Sequence, residues 1–276
     1  MKNKTVEIRN WGKWKIAWAA KKHLKHCQHL IENGEIDGIG LSQFSGSDIF
    51  DLSVLEEIVG LKGLILPHAE KFNLDALPNF TLLQLLVIAG TTSPVDLSNF
   101  NSLVDLSIDW NKKIILPISV DSLRSLRIDK LGTENLSIVS RYEKLTFLEL
   151  VQGKITSLDG IELLSSIEKI NLHYMSKLTS LEAIAKTPVK EIFIDKCPKI
   201  TNLECVSNCQ NLVNLGYHSS ADLQSIHFIN KCKKLESFRF VDVDVLDGDM
   251  TPLMQLKDFA FTNKKHFSHT EKSIRK

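Results

Sequence analysis

One pattern constrains this chain more than any other: an apolar residue at positions 1, 4 and 6 of a short unit recurs eleven times. It runs from a weak copy at Ile36/Ile39/Leu41 through Leu61/Leu64/Leu66, Leu83/Leu86/Ile88, Leu103/Leu106/Ile108, Leu123/Leu126/Ile128 and Leu145/Leu148/Leu150. It continues through Ile167/Ile170/Leu172, Val189/Ile192/Ile194, Leu212/Leu215/Tyr217 and Leu235/Phe238/Phe240 to Leu256/Phe259/Phe261. After the weak copy, successive starts lie 22, 20, 20, 22, 22, 22, 23, 23 and 21 residues apart. Positions 4 and 6 fall on one face of a strand of period two, so both enter a core while 3, 5 and 7 face outward. A single unit cannot bury its own comb. Stacking pairs each strand in parallel with the next and closes a continuous core.

These units resemble leucine-rich repeats, over about residues 36–262. The fullest copy, from Leu145, continues its comb through Ile155, Leu158, Ile161 and Leu164, a layout similar to the short repeats of bacterial internalin-like proteins. The resemblance implies an α/β leucine-rich-repeat solenoid, or horseshoe, with a parallel β-sheet on the concave face and short irregular or 3₁₀ segments on the convex side. A helical turn is expected around Leu52 to Val59. Position 9, Asn in the family pattern, is kept at Asn111 and replaced by Ala69, Thr91, Gly153, Met175 and Cys197, so the turn geometry departs from the family's.

A solenoid exposes its core at both ends and needs caps. Apolar residues at Ile16, Ala20, Leu24, Cys27, Leu30 and Ile31 have helical spacing, and Asn33-Gly34 supplies a stop. Residues 1–35 are therefore expected to form an N-terminal helical cap, with the helix over Ile16 to Glu32. Residues 36–262 form the solenoid, and 263–276 form a basic C-terminal tail whose Phe267 tucks against the last turn.

Composition excludes extremes. The 276 residues carry 34 Lys+Arg against 33 Asp+Glu, and 43% are hydrophobic, which fits neither a disordered chain nor a collagen-like one. Met1 to Asn10 lacks the apolar core of a secretory signal. The longest apolar run, Leu82 to Ala89, falls well short of the roughly twenty residues that span a bilayer. Five cysteines are an odd number for a disulfide framework, so reduced thiols and a cytoplasmic location are expected.

Chemistry-bearing motifs are scarce. His23, His26 and His29 step by three along the expected helix and spread over too wide an arc to face one metal ion. Cys197, Cys205, Cys209 and Cys232 lack the paired spacing of a zinc site and read as core residues. His266 and His269 could serve as general acid and base in nucleic-acid cleavage, because imidazole as a group exchanges protons near neutral pH, but no nucleophile or acidic partner accompanies them. No phosphate-binding loop, dinucleotide fingerprint, HExxH or GxSxG is present. The chain is expected to be no enzyme and to hold no metal or cofactor.

The outward positions are more informative. Early units present Gly63, Ile65, Pro67, Leu85, Val87 and Ala89, an apolar surface. From the next unit onward the face becomes polar. Its acids are Asp105, Asp109, Asp129, Glu149, Glu191, Asp195 and Asp258 against Arg127, Lys169 and Arg239, an excess of four negative charges in a chain of net +1. Such a face steers a basic partner. Trp110, Phe147, Tyr174 and Phe193 are candidate aromatic anchors among Asn171, His173 and His218. A concave face of this sign is unsuited to phosphate, so no direct nucleic-acid binding and no membrane contact are expected.

The phrases DIFDLSVLEEIVGLKGLIL and FAFTNKKHFSHT, with the helical start, are similar to bacterial leucine-rich-repeat immunity proteins of contact-dependent growth inhibition systems. That resemblance implies a non-enzymatic inhibitor that binds a cognate toxin and occludes its active site, as a heterodimer with the toxin's basic catalytic domain. The toxin would be a nuclease, an EndoU-like RNase first. Asp105, Asp109, Asp129, Glu149, Glu191 and Asp195 would mimic the charge of its RNA substrate. The alternative is a general protein-binding scaffold or a host-directed effector.

Overall fold

A computed structural model describes residues 6–118 and 120–275. Met1 to Thr5 of the expected cap and Lys276 of the expected tail lie outside the described residues. The chain divides into two compact units, residues 1–125 and 126–276.

The first unit opens with an antiparallel hairpin, β1 (Glu7–Trp11) and β2 (Trp14–Trp18), joined by Gly12-Lys13. Strand β2 then runs parallel to β3 (Gly38–Gly40), followed by β4 (Gly63–Leu66) and β5 (Leu85–Ile88). On the return side β6 (Val95–Asp96) pairs with β8 (Ile114–Ile115), and the main sheet continues from β5 to β7 (Asp105–Asp109). Equal repeat positions face each other: Leu64 pairs with Leu86, and Leu86 with Leu106. The segment expected to turn at Leu52 to Val59 forms a 3₁₀ helix over Leu52–Leu55, where Asp51 accepts the Ser53 N–H.

The N-terminal cap differs from the expectation. Helix α1 covers Leu24–Glu32 after one 3₁₀ turn at Lys21–His23, while Ile16 belongs to β2. The reason is a period of two: Trp14, Ile16 and Trp18 share one face of β2, and bulky aromatic and β-branched residues favour strand over helix. That face covers the apolar stretch of the early repeats. Ile65, Leu85 and Val87 are buried with Trp14 and Ile16 in one cluster flanked by Trp18 and Val104. Gly40 makes this possible, because a Cβ there would come within 2.8 Å of the Trp18 ring. The early apolar surface is thus a second, small core.

The second unit contains β9 (Ser125–Asp129) from Leu126 onward, β10 (Phe147–Val151), β11 (Lys169–His173), β12 (Glu191–Asp195), β13 (Asn214–His218), β14 (Ser237–Val241) and β15 (Asp258–Phe261). From β10 to β15 each strand pairs in parallel with the next. Positions 4 and 6 are buried throughout, while 3, 5 and 7 are half-exposed to exposed. Return segments are short 3₁₀ turns from Ile161–Leu163 to Thr251–Gln255. Asn135, Ser157, Ser180, Asn202, Ser225 and Asp247 each accept the N–H two residues on, a local turn that supplies the polar contact.

The degraded Asn ladder is replaced at position 8. Lys130, Gln152, Tyr174, Lys196, Ser219 and Asp242 all have φ between 44° and 60°, left-handed backbone in residues other than glycine. From Lys130 to Ser219 each N–H donates to the carbonyl at position 7 of the following strand, at 2.7–3.0 Å. Where Asn111 survives, its Nδ2 donates to the Thr91 carbonyl at 3.0 Å, the internal bond that Asn supplies.

The end of the second unit is an aromatic cap. Phe267 is buried edge-on against Phe261, and helix α2 (Glu271–Ile274) brings the Arg275 guanidinium over the Phe259 ring. The expected tail is therefore packed through Arg275. All five cysteines are free and buried, and burial pushes the thiols of Cys27, Cys197, Cys205 and Cys232 up to about 11. None of the helices among the described residues is long and apolar enough to cross a membrane.

Candidate functional site

Parallel pairing of units about 22 residues long places equal positions side by side, so outward residues form rows across the strands. In the second unit the position-5 row runs Glu149, Asn171, Phe193, Gly216, Arg239, and the position-7 row runs Val151, His173, Asp195, His218, Val241. Most of the acids counted in the sequence already have a cation. Arg127 forks onto Asp129, with Nε 2.8 Å from Oδ2, and its Nη1 reaches Glu149 at 3.0 Å. The His173 imidazole bridges Glu149, 3.4 Å from Nε2, and Asp195, 3.7 Å from Nδ1. Lys169 lies 2.9 Å from Glu191, and Arg239 lies 2.7 Å from Asp258.

Electrostatics follows from this wiring. The hydrogen bond to Glu149, with the charges of Glu149 and Asp195, raises the His173 pKa. The same bond, with the Arg127 charge, holds the Glu149 carboxyl below its ordinary range. Two strands on, burial lowers the His218 pKa. Phe193 lies between the two imidazoles, its ring 5.4 Å from His173 and 4.9 Å from His218. Beside this aromatic row, Asn171 Oδ1 and His218 Nε2 are buried with no hydrogen-bond partner. A groove of roughly 620 Å³ borders them, lined among others by Lys169, Glu191, Asn214, Ser237 and Arg239.

Arg127, Asp129, Glu149, His173, Phe193, Asp195 and His218 are brought together as one network, and Asn171 and Arg239 flank it on the position-5 row. Phe147 is half-buried at the outer end of β10. Tyr174 lies outside the rows, on the left-handed turn after β11, where Lys196 Nζ approaches its ring centroid at 4.7 Å and its hydroxyl at 3.0 Å. Asp105, Asp109 and Trp110 belong to the first unit. Asp105 accepts the Trp14 indole N–H and has Lys13 at 3.8 Å, Asp109 accepts the Gly90 N–H, and Trp110 is half-buried after β7. The acids are therefore less free to steer a partner than a count of charges implies.

Sequence reasoning passed over Gly216, the bare position-5 residue that makes room for Phe193. It also passed over Lys257 and Glu236, paired at 2.6 Å beside the groove. A missing side chain in a row of large ones is the signal that points to Gly216. The expectation that His266 and His269 have no acidic partner is corrected for His266, whose Nε2 lies 3.1 Å from Asp244, a residue distant in sequence; His269 Nδ1 lies 3.0 Å from Ser268 Oγ. His23 accepts the Ala20 N–H, and His29 contacts Asn33.

No family model matches the chain. Among solved structures it is similar to a leucine-rich-repeat protein of Leptospira interrogans, with 16% identity, 83% of this chain and 62% of that one covered, and a TM-score of 0.53. It is also similar to TLR13 in its complex with ssRNA13, with 16% identity, 86% and 37% covered, and a TM-score of 0.61. The chain thus spans under two thirds of either. An internalin (inlF) from Listeria monocytogenes aligns over 87% of this chain and 66% of its own at 16% identity and a TM-score of 0.48. At these identities the likeness is one of fold, and it agrees with the register and the short return segments: the chain has the leucine-rich-repeat fold.

Proposed function

We propose that this protein is a non-catalytic inhibitor that binds a protein partner through the open sheet face of its second unit. The partner we infer is the basic catalytic domain of a cognate bacterial toxin, a nuclease, whose active site the complex occludes. One observation carries the reading: Phe193, held between His173 and His218, is bordered by carboxylates whose positions are already locked by Arg127 and His173. Preorganised acceptors around an aromatic anchor lose little freedom on binding, which is what a tight interface requires. Buried free thiols fit a reducing compartment, so the protein is proposed to act in the cytoplasm.

The wiring changes how the charge hypothesis is tested. Reversing Asp129 and Glu149 to lysine would strand Arg127 among cations and disturb the sheet face itself. Glu191→Lys is cleaner, since that side chain is 43% exposed and among the described residues its ion pair is with Lys169 alone. The experiment is co-expression with the product of the neighbouring gene. Toxicity of that product alone, rescue by the wild-type chain, and loss of rescue with Phe193→Ala would support the reading. A neighbour that is harmless alone, or rescue that survives both Phe193→Ala and Glu191→Lys, would overturn it.

A further inference from the structure

Strand β1 is the outermost strand of its sheet, and all five of its residues are exposed. The two-residue connection Gly12-Lys13 makes Trp11 and Trp14 a hydrogen-bonded pair. Alternation then makes Arg9↔Ile16 and Glu7↔Trp18 hydrogen-bonded pairs as well. The N–H and C=O of Ile8 and Asn10 consequently point away from β2, and no hydrogen bond among the described residues engages them. An edge with free backbone groups is a template for another strand.

We propose that β1 pairs antiparallel with β1 of a second copy of this chain, centred on Ile8. The parity of the hairpin decides the register, since within β1 only Ile8 and Asn10 have outward backbone groups. Centring on Ile8 sets Ile8 opposite Ile8, Val6 opposite Asn10, and Glu7 of each copy opposite Arg9 of the other. Centring on Asn10 instead sets Ile8 against the Gly12 turn and Arg9 against Trp11. The Ile8 register is self-complementary: two apolar residues meet on one face, 44% exposed in the single chain, and two opposite-charge pairs meet on the other. Glu7 and Arg9 now satisfy each other at 2.6 Å within one chain, both more than half exposed, and can exchange that contact for the one across the twofold axis. Two five-residue strands bury less than a standard interface, so the dimer is weak and is sought toward high protein concentration.

Sedimentation velocity of the full chain over about 1 to 200 μM tests this, because self-association follows mass action. Wild type is expected to pass from monomer to dimer. Glu7→Arg and Arg9→Glu, each confirmed folded by circular dichroism, should weaken the dimer at least about tenfold, since each sets like charges opposite. Mixing the two variants should restore it, because one chain then carries two cations and the other two anions on β1. Arg9 also lies over the Trp18 ring of its own chain, 5.5 Å from the centroid, and restoration by mixing is an outcome that this local role would not produce. A monomer at every concentration overturns the proposal and leaves the edge to a strand from another protein. A dimer untouched by either variant, or a mixture that stays monomeric, overturns it equally.

Discussion

The indole N–H of Trp14 donates to the carboxylate of Asp105, ninety-one residues away in sequence, and so fastens the N-terminal hairpin across the sheet face of the first unit. Beneath it Ile65, Leu85 and Val87 are all but removed from water. A charge-assisted bond of this kind and the burial of a large ring both stabilise the hairpin. Trp14→Phe keeps an aromatic ring but deletes the indole N–H and part of the ring volume, and should cost about 1–2 kcal/mol or more. Trp14→Ala should cost about 3–5 kcal/mol by opening the cluster. Urea unfolding followed by circular dichroism measures both, and equal losses for the two variants would show that the aromatic ring retained in Phe contributes nothing to the cluster.

The Glu149–His173–Asp195 bridge makes stability depend on pH. The folded His173 pKa is raised, so its contribution is complete below the ordinary histidine value near 6.5 and is lost as pH rises through the folded value. The folded Glu149 pKa is lowered, so its contribution is present above the ordinary glutamate value and is lost as pH falls through the folded one. His218, whose pKa burial lowers, contributes in the opposite sense, so the bridge is read from the difference between wild type and His173→Gln. The stability advantage of wild type over His173→Gln should shrink from mildly acidic to mildly alkaline pH, and unfolding free energies of the pair measured at several pH values check the sign: an advantage that grows over the same interval would contradict it.

Gln152 is exposed on one of the left-handed turns, with φ of 55°, and its N–H bonds the His173 carbonyl at 2.9 Å. Replacement by glycine relieves backbone strain of about 1 kcal/mol against a comparable cost in unfolded-chain entropy, and should leave stability unchanged or slightly raised. Gln152→Val places a β-branched residue where the backbone excludes it, and should cost about 1–2 kcal/mol although the position is exposed. Thermal melting of the pair decides, and a harmless valine would mean the turn can relax.

Gly216 lies under Phe193: a Cβ added there would meet the ring at 2.5 Å. Gly216→Ala should displace the ring from between His173 and His218 while changing stability by less than about 1 kcal/mol, since the ring is on the surface and can move. The imidazole proton resonances of both histidines should lose their ring-current shifts. Under the proposed function, the same variant should also weaken toxin binding at least about tenfold, the loss of one aromatic anchor. Unaltered histidine resonances would show that the ring had found room in place.

The period of about 22 residues determined much of this protein. It assigns Leu148, Leu150 and their equivalents to the core, Glu149 and Phe193 to the open face, and the parallel register that makes Arg127 a neighbour of Glu149, and His173 of Asp195. Those assignments are legible because a strand's alternation and a repeat's length are local and arithmetic. The tertiary structure decided the rest. Ile16 fits the helical spacing that runs on to Ala20 and Leu24 as well as it fits the alternation with Trp14 and Trp18. The role of all three followed from the apolar face of β4 and β5, which needed cover and had none within its own repeats. Which cation each carboxylate would take was also decided in space: Arg127 can reach Asp129 and Glu149 together, and only side-chain geometry on the paired strands turns a surplus of acids into a closed network. The left-handed turns at position 8 answer to the stacking of successive coils, whose carbonyls a lost asparagine no longer serves, and no residue type at that position announces them.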